Sequence, residues 1–355
     1  MPERTIVLPV ARDGTPTAAI ARAAALLRAG GLVAFPTETV YGLGADATAP
    51  AAVEGIFHAK QRPHSDPLIV HVAERDALPS VVRDIPDVAW ELARRFWPGP
   101  LTLVLPRADR IPALVAAGGE TLGVRVPDHA VARALIRAAG VPVAAPSANR
   151  FTRTSPTMAA HVLADLDGRI DCVLDAGPCA VGVESTVLDL TVNPPRILRP
   201  GGVTLEALCT IIPDVRGPAE TTEATANSMA VARAPGQMER HYAPRTRLIV
   251  FDGEGGKALN AIRREAVAAL ARGERVGALL PDEEAGALAG LAVTVAALGS
   301  SADLGAISRR LYAALRELDE RRLDLILAHT FGREGLGLAL WDRLRRAAGG
   351  ELRAP

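Results

Sequence analysis

Lysine is almost missing from this chain. Of its 40 basic residues only Lys60 and Lys257 are lysines, and every other positive side chain is an arginine. Cysteine is nearly as scarce, with Cys172, Cys179 and Cys209. None belongs to a C-x-x-C pair, no histidine pair stands near them at ligand spacing, and their number is odd. These features argue against a disulfide framework or a structural zinc, and for small buried thiols in a reducing compartment. No apolar run approaches the ~18 residues of a membrane span. The opening MPERTIVLPVARDG carries charge and proline where a signal peptide carries an apolar stretch. The expectation is a soluble, unexported, cytoplasmic protein with no membrane partner.

An excess of either charge is also lacking. Basic and acidic residues number 40 each, and residues 1–213 alone carry 20 and 21. A protein that lives on nucleic acid shows a basic surplus, so any anion site here is a local cluster. The P-loop, H-E-x-x-H and EF-hand patterns are absent, as is a dense carboxylate cluster. A magnesium ion would have to be held mainly by phosphates.

What is present reads as α/β. The length of 355 residues suits about two domains. Residues 1–213 alternate helical and strand patterns. TPTAAIARAAALLRAGG (15–31) reads as a helix with Thr15 as N-cap and Pro16 at the first position. LVAFP, PLIVHV, LTLVLP, LGVRVP, VPVAAP, CVLDAG, STVLDL and RILRPGG read as strands. The sheet is expected to be mixed, because the strands at 101–106 and 122–127 lack a helix-length crossover between them. Residues 214–244 lose the periodic pattern, yet end in the cohesive APGQMERHYAP. They read as a linker that could fold over a ligand. Residues 245–355 alternate again and read as a smaller Rossmann-like α/β domain. Within it, REGLGLAL reads as a tight strand-to-helix turn, not as a full dinucleotide fingerprint.

Four polar clusters stand at strand ends, where open α/β sheets bind ligands. PTETVYGLGADA (36–47) offers Thr37, Glu38, Thr39 and Tyr41 beside glycines, suited to a small polar ligand; taken alone, it reads rather as a capped helix start after a strand. HAKQRPHSDPLIVH (58–71) groups Lys60, Arg62 and Asp66 ahead of His71. A compact ammonium retained in an arginine-writing chain points to a phosphate site, with an exposed lysine and a core histidine as the plain alternatives. APSANR (145–150) exposes Ser147 and Asn149 after a strand, either an anion cradle or a polar turn. No G-x-S-x-G elbow is present, so Ser147 reads as a binder, not a nucleophile. Arg125, Ser185 and Arg199 form the fourth cluster. Arginines in strand-like runs need an anion, either a ligand or an internal partner such as Glu184 or Asp189.

In order along the chain, PTETVYGLGADA, K-x-R-P…DPLIVH, WPGPLTLVL, GVRVPDH, APSAN, GVESTVLDL, ILRPGG and RHYAP resemble the threonylcarbamoyl-AMP synthase family in its long two-domain form. The resemblance implies a YrdC-like catalytic domain over 1–213, a linker or lid over 214–244 and a Rossmann-like domain over 245–355. It implies a nucleotidyltransferase that makes threonylcarbamoyl-AMP and pyrophosphate from L-threonine, bicarbonate or CO₂, and ATP with Mg²⁺. The product would serve a downstream tRNA threonylcarbamoyl transferase; direct tRNA binding is left open. The family's K-x-R and S-x-N signature falls on Lys60, Arg62, Ser147 and Asn149, with Lys60 and Arg62 as the catalytic cations. Other nucleotide contacts fall on Asp66, Thr121, Ser155, Arg199 and Tyr242. Threonine contacts fall on Thr39, His71, Arg125, Ala145 and Ser185. Asp66 departs from the family's usual asparagine, and Gln237 from an expected methionine. Two other readings stay open from the residues. Carbamoyl-adenylate chemistry of the hydrogenase-maturation type lacks its cysteine-rich zinc modules here, and a double-stranded RNA module lacks its basic surface.

Overall fold

The computed structural model describes residues 4–218, 235–236 and 238–355. Two compact units emerge. The first comprises Met1–Phe151, Pro156–Ala180 and Glu184–Gln237; the second comprises Thr152–Ser155, Val181–Val183 and Met238–Pro355. Most of the candidate lid, residues 219–234 and Gln237, lies outside the described residues.

In the first unit the described strands are β1 (Ile6–Pro9), β2 (Val33–Phe35), β3 (Gly42–Asp46), β4 (Ile69–His71), β5 (Leu101–Pro106), β6 (Thr121–Arg125), β7 (Val143–Ala144), β8 (Cys172–Asp175), β9 (Thr186–Asp189) and β10 (Arg196–Arg199). They form one sheet in the order β1-β8-β2-β3-β7-β4-β6-β5-β9-β10. It is mixed. β4 and β6 run parallel, while β5 and β6 are antiparallel. β1, four residues at the sheet edge against β8, is too short to stand out in the sequence.

Strand alternation feeds two cores, because successive side chains leave opposite faces. Ala34 of β2 joins the core built on the helix Pro50–Lys60. Its neighbours Val33 and Phe35 join the core built on the helices Ala18–Arg28 and Ala130–Ala139. The helix Ala18–Arg28 buries Ile20, Ala23, Ala24 and Leu27, one stripe at helical spacing. Fully burying a side chain such as Leu27 stabilises by about 1.5–3 kcal/mol. Its N-cap is Thr17, whose Oγ1 accepts from the Ile20 amide at 3.3 Å. Thr15, the residue expected to cap, instead gives its own amide to Asp13 Oδ1 at 3.0 Å. The capping residue stands immediately before the first helical residue, and with the helix starting at Ala18 that place belongs to Thr17. The PTET stretch begins no helix; it turns β2 back into antiparallel β3.

In the second unit β11 (Arg247–Phe251), β12 (Val276–Leu280), β13 (Val293–Ala297) and β14 (Leu325–His329) form a parallel sheet in the order β11-β14-β12-β13. The helices Gly255–Ala271, Leu304–Glu320 and Gly337–Ala347 accompany it. The strand β14 leads through the glycine-rich turn into Gly337–Ala347, as the sequence reads. Among the described residues no helix is long and apolar enough to cross a membrane.

Candidate active site

The helix Pro50–Lys60 ends with Gln61 in a left-handed conformation, φ 54°, which turns the chain sharply after Lys60. Lys60 shares the buried face of this helix with Val53, Ile56 and Phe57, and its side chain is 1% exposed. Its Nζ donates to the carbonyl oxygens of Ser147 and Asn149, each at 2.5 Å. The residues that the sequence places 87 and 89 positions away are therefore brought together, with the ammonium as the pin. Phe151 N donates back to Lys60 O at 2.9 Å. Burial, and then the neighbouring Arg62, push the Lys60 pKa well below the usual lysine value.

Arg62 is equally internal. Its Nε donates to Asp66 O at 3.0 Å and its Nη2 to Pro67 O at 2.7 Å, and the ring of Phe151 lies 5.8 Å from its guanidinium carbon. Nη2 also stands 2.9 Å from Asp66 Oδ2, at an angle that makes an ion contact without a hydrogen bond. Burial raises the Asp66 pKa against the pull of Arg62, Lys60 and Arg199. The acid at this position is thus compensated by cations. Because β7 and β4 are antiparallel, the loop carrying Ser147 and Asn149 leaves β7 beside the chain that enters β4 from Asp66. Ser147 is half-buried and Asn149 buried.

A second polar cluster forms around Arg125, the last residue of β6. Its cross-strand partner on β4 is His71. Arg125 Nη2 donates to both oxygens of Glu38 at 2.7 Å, and Nη1 to Thr39 Oγ1 at 3.2 Å. The internal partner is therefore Glu38, not the expected Glu184 or Asp189. Glu38 and Thr39 are held by a turn that Thr37 ties: its hydroxyl donates to Val40 O at 2.6 Å and accepts from the amides of Thr39 and Val40. Burial pushes the Glu38 carboxyl up and Arg125 down, and each charge offsets part of the other's shift. Burial and Arg125 hold His71 well below the usual histidine range, so its imidazole is neutral at pH 7. Ala145 contributes a buried methyl, and its amide donates to Ile69 O at 2.9 Å. The loop 145–149 also binds the PTET turn, with Leu43 N on Pro146 O and Ala148 N on Tyr41 O, each at 2.8 Å.

The Ser185 hydroxyl sits between Thr102 Oγ1 at 2.8 Å and Arg199 Nη2 at 3.2 Å. Arg199 also donates to Ser185 O through Nε at 3.2 Å and Nη2 at 2.9 Å. Gly201 permits this packing: a Cβ there would fall 2.3 Å from Glu184 O. Arg199 is felt electrostatically by both Asp66 and Arg125. Thr121 starts β6 at the far end from Arg125 and shares none of these hydrogen bonds among the described residues.

Ser155 and Tyr242 belong to the second unit. Ser155 is fully buried. Tyr242 takes a left-handed φ of 60°, and its carbonyl accepts from Thr154 Oγ1 at 3.3 Å. Its ring packs on Tyr312 at 5.9 Å and under the Arg343 guanidinium at 4.8 Å, while His241 N donates to Arg346 O at 3.1 Å. The end of the linker is therefore fastened to the helices Leu304–Glu320 and Gly337–Ala347. Sequence reasoning names Glu38 in the PTET cluster but not as the partner of Arg125, and it does not single out Thr102. Their partners stand 87 and 83 residues away, and no local pattern announces either contact.

Among the described residues no group of three or more His, Cys, Asp or Glu could hold a metal ion. All three cysteines are free, and Cys172 and Cys179 are buried. Burial holds the Cys179 thiol up at about 12, so it is neither nucleophile nor ligand at neutral pH.

Residues 25–201 match a family model described as "Telomere recombination", and residues 203–349 match one described as "Threonylcarbamoyl-AMP synthase, C-terminal domain". A threonylcarbamoyl-AMP synthase of Bacillus subtilis is 44% identical over 334 residues, spanning 94% of each chain. The enzyme of that name from Pyrococcus abyssi is 44% identical over 328 residues, 92% of this chain and 93% of its own. The crystal structure of P. abyssi Sua5 complexed with L-threonine superposes with a TM-score of 0.90 at 41% identity, covering 99% of both chains. Identity of this order over nearly the whole length, with both family models in sequence, leaves one conclusion: the chain belongs to the threonylcarbamoyl-AMP synthase family, in its two-domain form.

Proposed function

We propose that this chain is an L-threonylcarbamoyladenylate synthase, a nucleotidyltransferase that converts L-threonine, bicarbonate or CO₂, and ATP into threonylcarbamoyl-AMP and pyrophosphate. The observation that carries the proposal is the buried Lys60 ammonium on the carbonyls of Ser147 and Asn149, with the buried Arg62 close by in sequence, beside a separate buried guanidinium at Arg125. The first is suited to a polyphosphate and the second to a carboxylate. Crystalline P. abyssi Sua5, with L-threonine bound, supports assigning that carboxylate to threonine.

In this reading the amine of threonine attacks CO₂, the resulting carbamate oxygen attacks the α-phosphorus, and pyrophosphate leaves. No covalent enzyme intermediate is needed, which suits a site without an activated nucleophile. Catalysis is positioning plus charge compensation. Lys60 pins the loop and, with Arg62, supplies buried positive charge, while Ser147 and Asn149 present polar groups to the nucleotide. Asp66, Thr121, Ser155, Arg199 and Tyr242 complete the ATP contacts. Arg125 holds the threonine carboxylate; Thr39 and His71 read the amine and hydroxyl, with Ala145 and Ser185 closing the pocket. Magnesium enters with its nucleotide as MgATP, held mainly by the phosphates.

Residues 1–213 then form the catalytic domain, 214–244 a lid that keeps water from the labile carbamate, and 245–355 the appended domain. The product supplies a transferase that modifies tRNA in the cytoplasm. The even charge balance favours handing over a small molecule above gripping tRNA directly. Pyrophosphate release from ATP, measured with bicarbonate and each amino acid in turn, tests the reading. Release that depends on L-threonine is expected; release indifferent to threonine, or none, overturns it.

A further inference from the structure

The Arg125 pocket contains a charge that the proposed reaction has not used. Glu38 is 5% exposed and places both carboxylate oxygens on one guanidinium nitrogen. Arg125 is 3% exposed and His71 4%. Among the described residues, Arg125 Nε and His71 Nδ1 have no hydrogen-bond partner, although buried polar groups are nearly always paired. These two atoms belong to residues that face each other across β4 and β6. Two orphaned polar atoms beside an ion pair mark the wall of a ligand site.

The charge on that wall is balanced. Glu38 offsets Arg125, His71 is neutral, and the Cys179 thiol is protonated. Beyond them, Arg199 acts on Arg125, Asp128 on Glu38 and Arg12 on Cys179. A bare carboxylate entering here meets a guanidinium already neutralised and leaves uncompensated negative charge in a buried place, which is unfavourable. A ligand that also brings an ammonium restores the balance beside Glu38.

We propose that Glu38 is the specificity-determining residue of this pocket, admitting ligands that carry both a carboxylate and an ammonium and refusing simple hydroxy acids. The inference rests on the reading of the Arg125 pocket as an amino-acid site. Glu38 does more than fix Arg125: a group that only positioned the guanidinium would affect all carboxylate ligands alike.

Calorimetric titration of the full chain with L-threonine, with 3-hydroxybutyrate (threonine without its ammonium) and with L-threonine methyl ester (threonine without its carboxylate) provides the test. Wild type binds L-threonine about 100-fold more tightly than 3-hydroxybutyrate, since like charges brought together in an interface cost several kcal/mol. The methyl ester binds as poorly as 3-hydroxybutyrate. Glu38→Gln lowers the threonine-to-hydroxybutyrate ratio by about tenfold or more, and Glu38→Asp preserves it. A folded Glu38→Gln variant with the wild-type ratio overturns the proposal. If Glu38→Gln does not fold, the wild type decides: 3-hydroxybutyrate binding about as well as threonine overturns it. Failure of the wild type to bind L-threonine at all sinks the amino-acid reading itself, a result distinct from a change in the ratio.

Discussion

The Lys60 ammonium has two carbonyl oxygens 2.5 Å away, on residues 147 and 149 of one loop. A compact donor with three N–H bonds can serve both at once. A guanidinium is planar, longer and forked, and would have to displace the loop. That geometry gives a physical reason for a lysine where nearly every other cation is an arginine. It also changes what a substitution tests. Lys60→Ala leaves two buried carbonyls without a donor, which costs about 1–3 kcal/mol. Lys60→Arg overfills the same space at about 1–3 kcal/mol. Urea denaturation should therefore show both variants less stable than wild type, alongside any loss of nucleotide affinity. Wild-type stability in Lys60→Ala would mean that the ammonium does not pin the loop.

Among the elements, the first helix offers a clean comparison. Thr17 caps it by accepting from Ile20 N, whereas the Thr15 side chain caps nothing. Thr17→Ala should cost about 1 kcal/mol and Thr15→Ala almost nothing; thermal unfolding of the pair distinguishes them, and equal losses would return the cap to Thr15. This misplacement shows the limit of local reading. T-P-T offers two hydroxyls, and only the tertiary register of the helix chooses between them. The same limit governs the site. Lys60, Arg62, Ser147 and Asn149 were legible because each sits in a motif with its own local shape, a helix end or a strand end. The β5–β6 antiparallel pair was legible because no helix-length pattern lies between the two strands. The Glu38–Arg125 pair was not. It spans 87 residues, and an arginine in a strand declares that it needs an anion without saying which. Thr102 was hidden for the same reason, as an ordinary hydroxyl in an apolar strand whose partner, Ser185, arrives only when β9 packs beside β5.

For the whole molecule, pH is the variable that reads several buried groups at once. His129 precedes the helix Ala130–Ala139; burial first, then Arg12, lower its pKa to about 4, with Asp128 opposing. His71 is shifted in the same direction. A histidine near 6.5 when unfolded and near 4 when folded binds more protons in the unfolded chain between those values. Its contribution to stability is complete above about pH 6.5 and is lost as pH falls toward 4. Glu38 and Asp66 act with the opposite sign. Their raised folded values stabilise at low pH, and that contribution is lost as pH rises through them. The wild-type curve mixes both trends, so its slope alone identifies neither. The difference between His129→Gln and wild type removes the carboxylates from view. That difference should stay constant above about pH 6.5, shift in favour of the variant as pH falls to about 4, and level off below. Denaturant unfolding at a series of pH values measures it directly. Parallel curves across that window would mean that the imidazole at 129 is as free to take a proton in the folded chain as in the unfolded one.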